Sequence, residues 1–264
     1  MSNIPTAEAP DWVDRRDRPG ADRWLRRYAG QPEPVMQLAC FPHAGGSASF
    51  FRAWRRHIPP ELELLTVQYP GHEDRLGEAR IDDMHALADA AAAALLSTVR
   101  HPIALFGHSL GAAVAYEVAL RLEGAGASVA GLFVSGRPAP SHQRPGTLHL
   151  ASDERLWREM GALGGTNVEV LNHAELRSLL LPVLRSDYRV SDTYVPTSGA
   201  VLRCAVVAMF GDRDRQVSWE EASAWAAVTR GRFEIEVFPG GHFYLTPHAE
   251  PVVAAVVGRL GFAA

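Results

Sequence analysis

Between Leu105 and Ala115 the chain reads LFGHSLGAAVA, in which Gly107-His108-Ser109-Leu110-Gly111 matches a Gly-x-Ser-x-Gly pattern. A serine so placed can act as an acyl-transfer nucleophile when a sharp turn lifts its hydroxyl clear of the backbone and a base takes its proton. With 23 glycines in 264 residues, about 0.1 such patterns are expected by chance, so the surroundings decide. A buried-type apolar run, PIALFG, enters the motif, and an apolar helical run, GAAVAYEVALRL, leaves it. In that strand–turn–helix setting the glycines let backbone and helix approach closely. The helix N-terminus then faces a developing oxyanion. Ser109 is the candidate nucleophile.

A serine needs a base, an acid to orient that base, and donors for the tetrahedral oxygen. Of the 11 histidines, His242 is best placed, on the Gly-Gly loop after the strand-like run in FEIEVFPGGHFYL. His108 adjoins the nucleophile, but on so tight a turn its side chain should point away from Ser109. His43, His72 and His248 read as surface or structural residues. The acid belongs just after the long apolar run in AVVAMFGDRDRQV, where spacing does not choose between Asp212 and Asp214. One oxyanion donor should be the Leu110 N–H, directly after the nucleophile. The other is assigned to the Ala44 N–H in CFPHAGGSASFF, a glycine-rich loop after the first strong strand.

These residues need a scaffold that brings distant segments to one edge. Strand-like apolar runs occupy Val35–Phe41, Leu62–Gln68, Ile103–Phe106, Val129–Ser135, Val201–Phe210 and Phe233–Phe238. Most are continuously apolar, as parallel strands covered on both faces must be; the last alternates, which suggests an edge. Helical candidates lie between them at Phe50–His57, Asp82–Val99, Ala112–Leu122, Trp219–Thr229 and Ala249–Leu260. Such alternation predicts an α/β fold with a mostly parallel central sheet flanked by helices. The polar, helix-like segment 138–199 interrupts it and places Leu176, Leu179, Leu180, Val183 and Leu184 at helical spacing. The expected organisation is a flexible tail over 1–22, a core made of 23–137 and 200–264, and a helical lid over 138–199.

Composition removes several classes of function. All 26 basic residues are arginine, which excludes a lysine-bearing phosphate loop, a Schiff base and a Ser-Lys dyad. A net charge of −4 carries no nucleic-acid footprint. The segment MSNIPTAEAPDWVDRRDRPG has no signal-type apolar core, and Asp89 interrupts the most apolar helical run, so a cytoplasmic, non-membrane protein is expected. Cys40 and Cys204 sit in apolar runs as expected buried free thiols. No oligomer signature stands out, and a monomer is expected.

The segments FPHAGGSASFFRAW, VQYPGHEDRL, GHSLGA, GDRD and PGGHFYL together resemble the type II thioesterases. These are the stand-alone editing enzymes of polyketide and nonribosomal peptide assembly lines, within the α/β-hydrolase superfamily. The resemblance runs from about Trp24 to the C-terminus, and the pairing of PHAGG with QYPG-x-x-x-R is far more specific than Gly-x-Ser-x-Gly. It implies a helical lid and a triad of Ser109, Asp214 and His242, the acid being the second aspartate of GDRD. It also implies oxyanion donors at Ala44 and Leu110, a structural role for Arg75, and no cofactor or metal. The substrate would be an acyl thioester on the phosphopantetheine arm of an acyl or peptidyl carrier protein. Arg137, Arg144, Arg155 and Arg158 would form a rim able to steer an acidic carrier, or simply solvated helix faces. A general carboxylesterase or lipase, or an acyltransferase, could use the same triad. A catalytically silent binding module would be expected to lack one of its members.

Overall fold

In the computed structural model, residues 23–28, 33–164 and 173–263 are described. The expected tail over 1–22 lies outside them. The strands are β1 (Leu25–Arg27), β2 (Met36–Phe41), β3 (Leu62–Val67), β4 (Ile103–His108), β5 (Val129–Ser135), β6 (Ala205–Gly211) and β7 (Phe233–Phe238). They form one sheet in the order β1-β3-β2-β4-β5-β6-β7. Pairing is parallel throughout except for β1, which runs antiparallel to β3. Central β4 is buried at every residue, whereas β7 is largely half-buried at the edge. The contrast between continuous and alternating apolar runs therefore reports position in the sheet.

The helices are α1 (Met84–Thr98), α2 (Leu110–Gly124), α3 (Asp153–Leu163), α4 (Ala174–Asp192), α5 (Trp219–Ser223) and α6 (Ala249–Arg259). Successive strand residues face opposite layers. Ala39 and Phe41 of β2 pack with Leu87, Leu95 and Val118 of α1 and α2 on one face. Leu38 and Cys40 pack with Phe51, Trp54 and Val256 on the other. Cys40 and Cys204 are buried free thiols. Among the described residues, no helix is long and apolar enough to cross a membrane.

Some elements differ from expectation. The segment foreseen as a helix over Phe50–His57 is a 3-10 helix spanning Ala48–His57. Its buried residues Ala48, Phe51 and Trp54 recur every third position, which suits three residues per turn. The segment Trp219–Thr229 divides into α5 and a 3-10 turn over Ala224–Val228. The run Val201–Phe210 becomes strand only from Ala205, with Leu202 forming an isolated bridge to Thr229. Strand β1, with only three residues and two of them arginine, has too little apolar pattern to be read from sequence.

Between β5 and β6 the described residues contain helices and 3-10 turns but no strand. Leu156, Trp157, Met160, Leu181 and Leu184 build a separate small core there. Within α4, Leu176 and Leu179 are exposed while Val183 and Leu184 are buried. Pro182 interrupts the helical hydrogen bonding between these two stretches. The chain returning to β6 is tied to α2 by two buried carboxylates. Glu117 accepts from Arg121, the Tyr194 hydroxyl (2.8 Å) and the Thr197 backbone N–H (3.2 Å). Glu123 accepts from the backbone N–H groups of Arg203 and Cys204 at 2.8 Å each.

Burial raises the Glu117 pKa, but its hydrogen bonds outweigh burial and hold it below the ordinary 4.5. Its stabilising contribution is therefore full above that pH and lost as the pH falls through the lowered folded value. Glu117→Gln should cost about 2–3 kcal/mol in urea unfolding at neutral pH. The gap from wild type should narrow as the medium is acidified below 4.5, and a gap independent of pH would contradict this account.

Candidate active site

Strand β4 ends at His108 and α2 begins at Leu110, which leaves Ser109 alone on the turn. Its backbone sits at φ 55° and ψ −115°, a positive-φ conformation that costs a non-glycine residue about 1–3 kcal/mol. The turn is held by Ser109 N–H donating to the Ser135 carbonyl at 2.8 Å and by Ala112 N–H donating to the Ser109 carbonyl at 3.1 Å. Both motif glycines face backbone rather than space. A Cβ on Gly107 would lie 2.1 Å from the Gly111 carbonyl oxygen, and one on Gly111 would lie 2.1 Å from that of Phe41.

Register sets the ends of the parallel strands level with one another. Phe41 pairs with Gly107, His108 with Ser135, Ser135 with Met209, and Phe210 with Val237. The loops that follow therefore converge at the carboxyl edge of the sheet, where ligand sites of open α/β sheets form. Ser109, His242, Ala44 and Leu110 line one cavity there, of about 280 Å³.

The two candidate aspartates part ways. Asp214 Oδ2 lies 2.9 Å from His242 Nδ1, and both side chains are almost wholly buried. Its other oxygen accepts from the Gln216 N–H at 2.8 Å. Asp212 instead accepts from the Gly240 N–H at 2.8 Å and secures the loop that carries His242. A carboxylate oxygen facing a ring nitrogen accepts, so Nδ1 of His242 is the donor in this pair and Nε2 is the nitrogen left to serve as a base. The Leu110 N–H, first in its helix, has no intrahelical partner. The Ala44 N–H has no backbone acceptor among the described residues.

Other groups around the cavity are placed by contacts that the sequence does not record. His108 turns into the sheet, with Nδ1 2.9 Å from Ser135 Oγ, which lies 2.7 Å from the Tyr244 hydroxyl. Its ring lies 4.9 Å from that of His242, tilted at 40° to it. Burial first, then the neighbouring histidines, pushes its pKa well down. Of the two readings of His43, surface or structural, packing supports the structural one: it lies edge-on to Phe50 and Phe243 at 4.6 and 4.7 Å. Burial, helped by His242 and His72, lowers its pKa to about 3. Both rings are therefore neutral walls rather than bases.

Arg137, read as part of a lid rim or of a solvated helix face, lies in the cavity wall and donates to Ser191 Oγ (2.8 Å) and Gln143 Oε1 (2.6 Å). Burial brings its pKa down to about 10. Arg144 pairs with Glu221, and only Arg155 and Arg158 of the four stand exposed without such a role. Arg75 is structural in its contacts, donating to the Gln68 carbonyl at 2.7 Å and to Glu78 while lying over Trp24. His72 is buried against Asp187 of α4, at 2.9 Å, and Asp187 also accepts from the Gly45 N–H at 2.6 Å. Nothing in the sequence singles out Asp187, which stands 115 positions from its partner.

The chain is similar to known proteins over most of its length. A family model for the thioesterase domain matches residues 36–259. The chain is 42% identical over 224 residues to the thioesterase PikA5 of Streptomyces venezuelae, covering 84% of this chain and 80% of that protein. It is 35% identical over 228 residues to the gramicidin S biosynthesis protein GrsT of Aneurinibacillus migulanus, covering 85% and 88%. The solved type II thioesterase BorB of the borrelidin cluster superposes with a TM-score of 0.85 at 44% identity, over 90% of this chain and 98% of that one. With an α/β-hydrolase sheet, a serine elbow at its carboxyl edge and matches that span nearly the whole chain, the protein belongs to the thioesterase family, among the type II thioesterases.

Proposed function

We propose that this protein is a serine hydrolase that removes acyl groups held as thioesters on the phosphopantetheine arm of acyl or peptidyl carrier proteins. It would thereby clear stalled or aberrant groups from polyketide or nonribosomal peptide assembly lines. The observation that carries the reading is the shared cavity: Ser109 on its strained turn opens into the same space as His242, whose Nδ1 is held by buried Asp214. The similarity to a gramicidin S biosynthesis protein and to a type II thioesterase of the borrelidin biosynthetic cluster supports the choice of substrate.

The chemistry runs in two halves. His242 Nε2 takes the Ser109 hydroxyl proton as Oγ bonds to the thioester carbonyl carbon, and Asp214 stabilises the resulting imidazolium. Negative charge on the former carbonyl oxygen is met by the Ala44 and Leu110 N–H groups, each worth about 3 kcal/mol in such a role. The C–S bond breaks, and His242 returns the proton to the departing thiolate. Water then enters, gives its proton to His242 and attacks the acyl-serine. Collapse of that intermediate frees the carboxylic acid and restores the Ser109 hydroxyl. Segment 138–199 would act as the lid over this cavity, with the arm passing beneath it.

Asp214→Asn presents an amide to a ring nitrogen that must carry a proton, which favours the wrong tautomer. It should lower kcat about 10³-fold or more on a small acyl thioester, measured by thiol release. Asp212→Asn, which touches only the loop, should stay within about tenfold. Equal losses in the two variants would reverse the assignment of the acid. For the substrate, a carrier protein loaded with acetyl, propionyl or butyryl groups is incubated with wild type or Ser109→Ala and followed by intact mass spectrometry. Return to the free-thiol carrier with wild type alone, faster than hydrolysis of the matching small thioester, is the expected outcome. Cleavage of small esters while the loaded carrier persists would move the substrate to simple esters.

A further inference from the structure

The second half of α4 lies directly on the loop that carries Ala44. A Cβ on Gly45 would sit 2.6 Å from Leu184 Cδ2, and one helical turn on, Asp187 Oδ2 accepts the Gly45 N–H at 2.6 Å. The same oxygen faces His72 Nε2 at 2.9 Å, while His72 Nδ1 faces the Pro70 carbonyl oxygen at 3.2 Å. A carbonyl and a carboxylate both only accept, so both ring nitrogens carry protons and His72 is an imidazolium. Burial opposes that charge, yet Asp187, with help from the Pro70 carbonyl and Glu73, raises the His72 pKa above its ordinary value. Both side chains are nearly fully buried, at 4% and 6% exposure, so this is a desolvated ion pair whose two members are also hydrogen-bonded elsewhere.

The pair has a position as well as a strength. Gly46 N–H donates back to the His43 carbonyl at 2.9 Å, and Asp187 fixes the intervening Gly45 N–H. The peptide planes on either side of Ala44 are thus both tethered. A donor stabilises an oxyanion only when it is aimed before the charge arrives, within about 10–20°. A carboxylate near that site would by itself oppose the developing negative charge, and the His72 cation behind it cancels this effect. We propose that Asp187 is a positioning residue for the acyl-transfer step: anchored by His72, it holds the Gly45 N–H and thereby aims the Ala44 N–H at the oxyanion. The inference rests on the reading of Ala44 as an oxyanion donor.

The test compares wild type, Asp187→Ala and Asp187→Asn on a small acyl thioester, alongside the affinity of an alkylboronic acid that forms a tetrahedral adduct on serine. Asp187→Ala should lower kcat about tenfold or more, leave KM within about twofold, and weaken the boronic acid in step with kcat. Asp187→Asn, which keeps an acceptor for Gly45, should recover part of that loss while remaining below wild type. A folded Asp187→Ala protein with wild-type kcat, or one that loses only thermal stability or only KM, overturns the proposal. Should Asp187→Ala not fold, Asp187→Asn decides alone: reduced kcat at unchanged KM supports the role, and wild-type kcat removes it. Labelling of Ser109 by a phosphonate in the wild-type protein tests the underlying site separately. A Ser109-dependent enzyme indifferent to Asp187 would overturn only the positioning role.

Discussion

One close contact organises the molecule: the first turn of α2 rests against the end of β2, with Gly111 placed where any side chain would strike the Phe41 and Pro42 carbonyls. Because no atoms intervene, the loop leaving β2 and the turn leaving β4 share one edge at backbone distance. The Ala44 and Leu110 N–H groups can then border a single cavity. Residue type at two positions in the motif thus decides whether two loops far apart in the chain can cooperate. The reach of His242 into that cavity, with Asp214 held behind its ring, is a separate problem, solved by β6 and β7. Gly211 lies against the Gly240 and Gly241 carbonyls, again at a distance no Cβ would allow.

Four histidines near the site show how environment divides one side-chain type into distinct tools. His242 has a carboxylate on one nitrogen and open cavity at the other. His72 is enclosed between two acceptors and holds its charge. His43 and His108 are enclosed without a carboxylate and are kept neutral by burial. Had either of the last two been charged, it would have repelled the imidazolium that His242 becomes on taking a proton. Their neutrality is what lets aromatic rings pack so near a residue that must change charge.

Much of this was legible in the chain because it is written in local patterns. Val129–Ser135 and Phe233–Phe238 are strands with the bounds that apolar runs imply, and β7 lies at the edge as its alternation suggests. Ser109 announces itself because a tight turn needs glycine on both sides. The choice between Asp212 and Asp214 was not legible from spacing, since two residues of separation decide which carboxylate meets a ring and which meets a backbone N–H. Asp187 and Arg137 were unseen or misplaced for a different reason. Their significance lies in partners brought near by packing, and no periodicity records that Asp187 will meet Gly45.

The positive φ of Ser109 has an evolutionary consequence. A serine held there is a standing cost that glycine would not bear, so the fold is more tolerant of a dead turn than of a live one. Heat selection applied without a test of turnover would favour variants that relax the turn at the expense of the hydroxyl. The nucleophile persists in such a chain only where activity itself is under selection, and thermal robustness is a misleading guide when breeding improved forms of this protein.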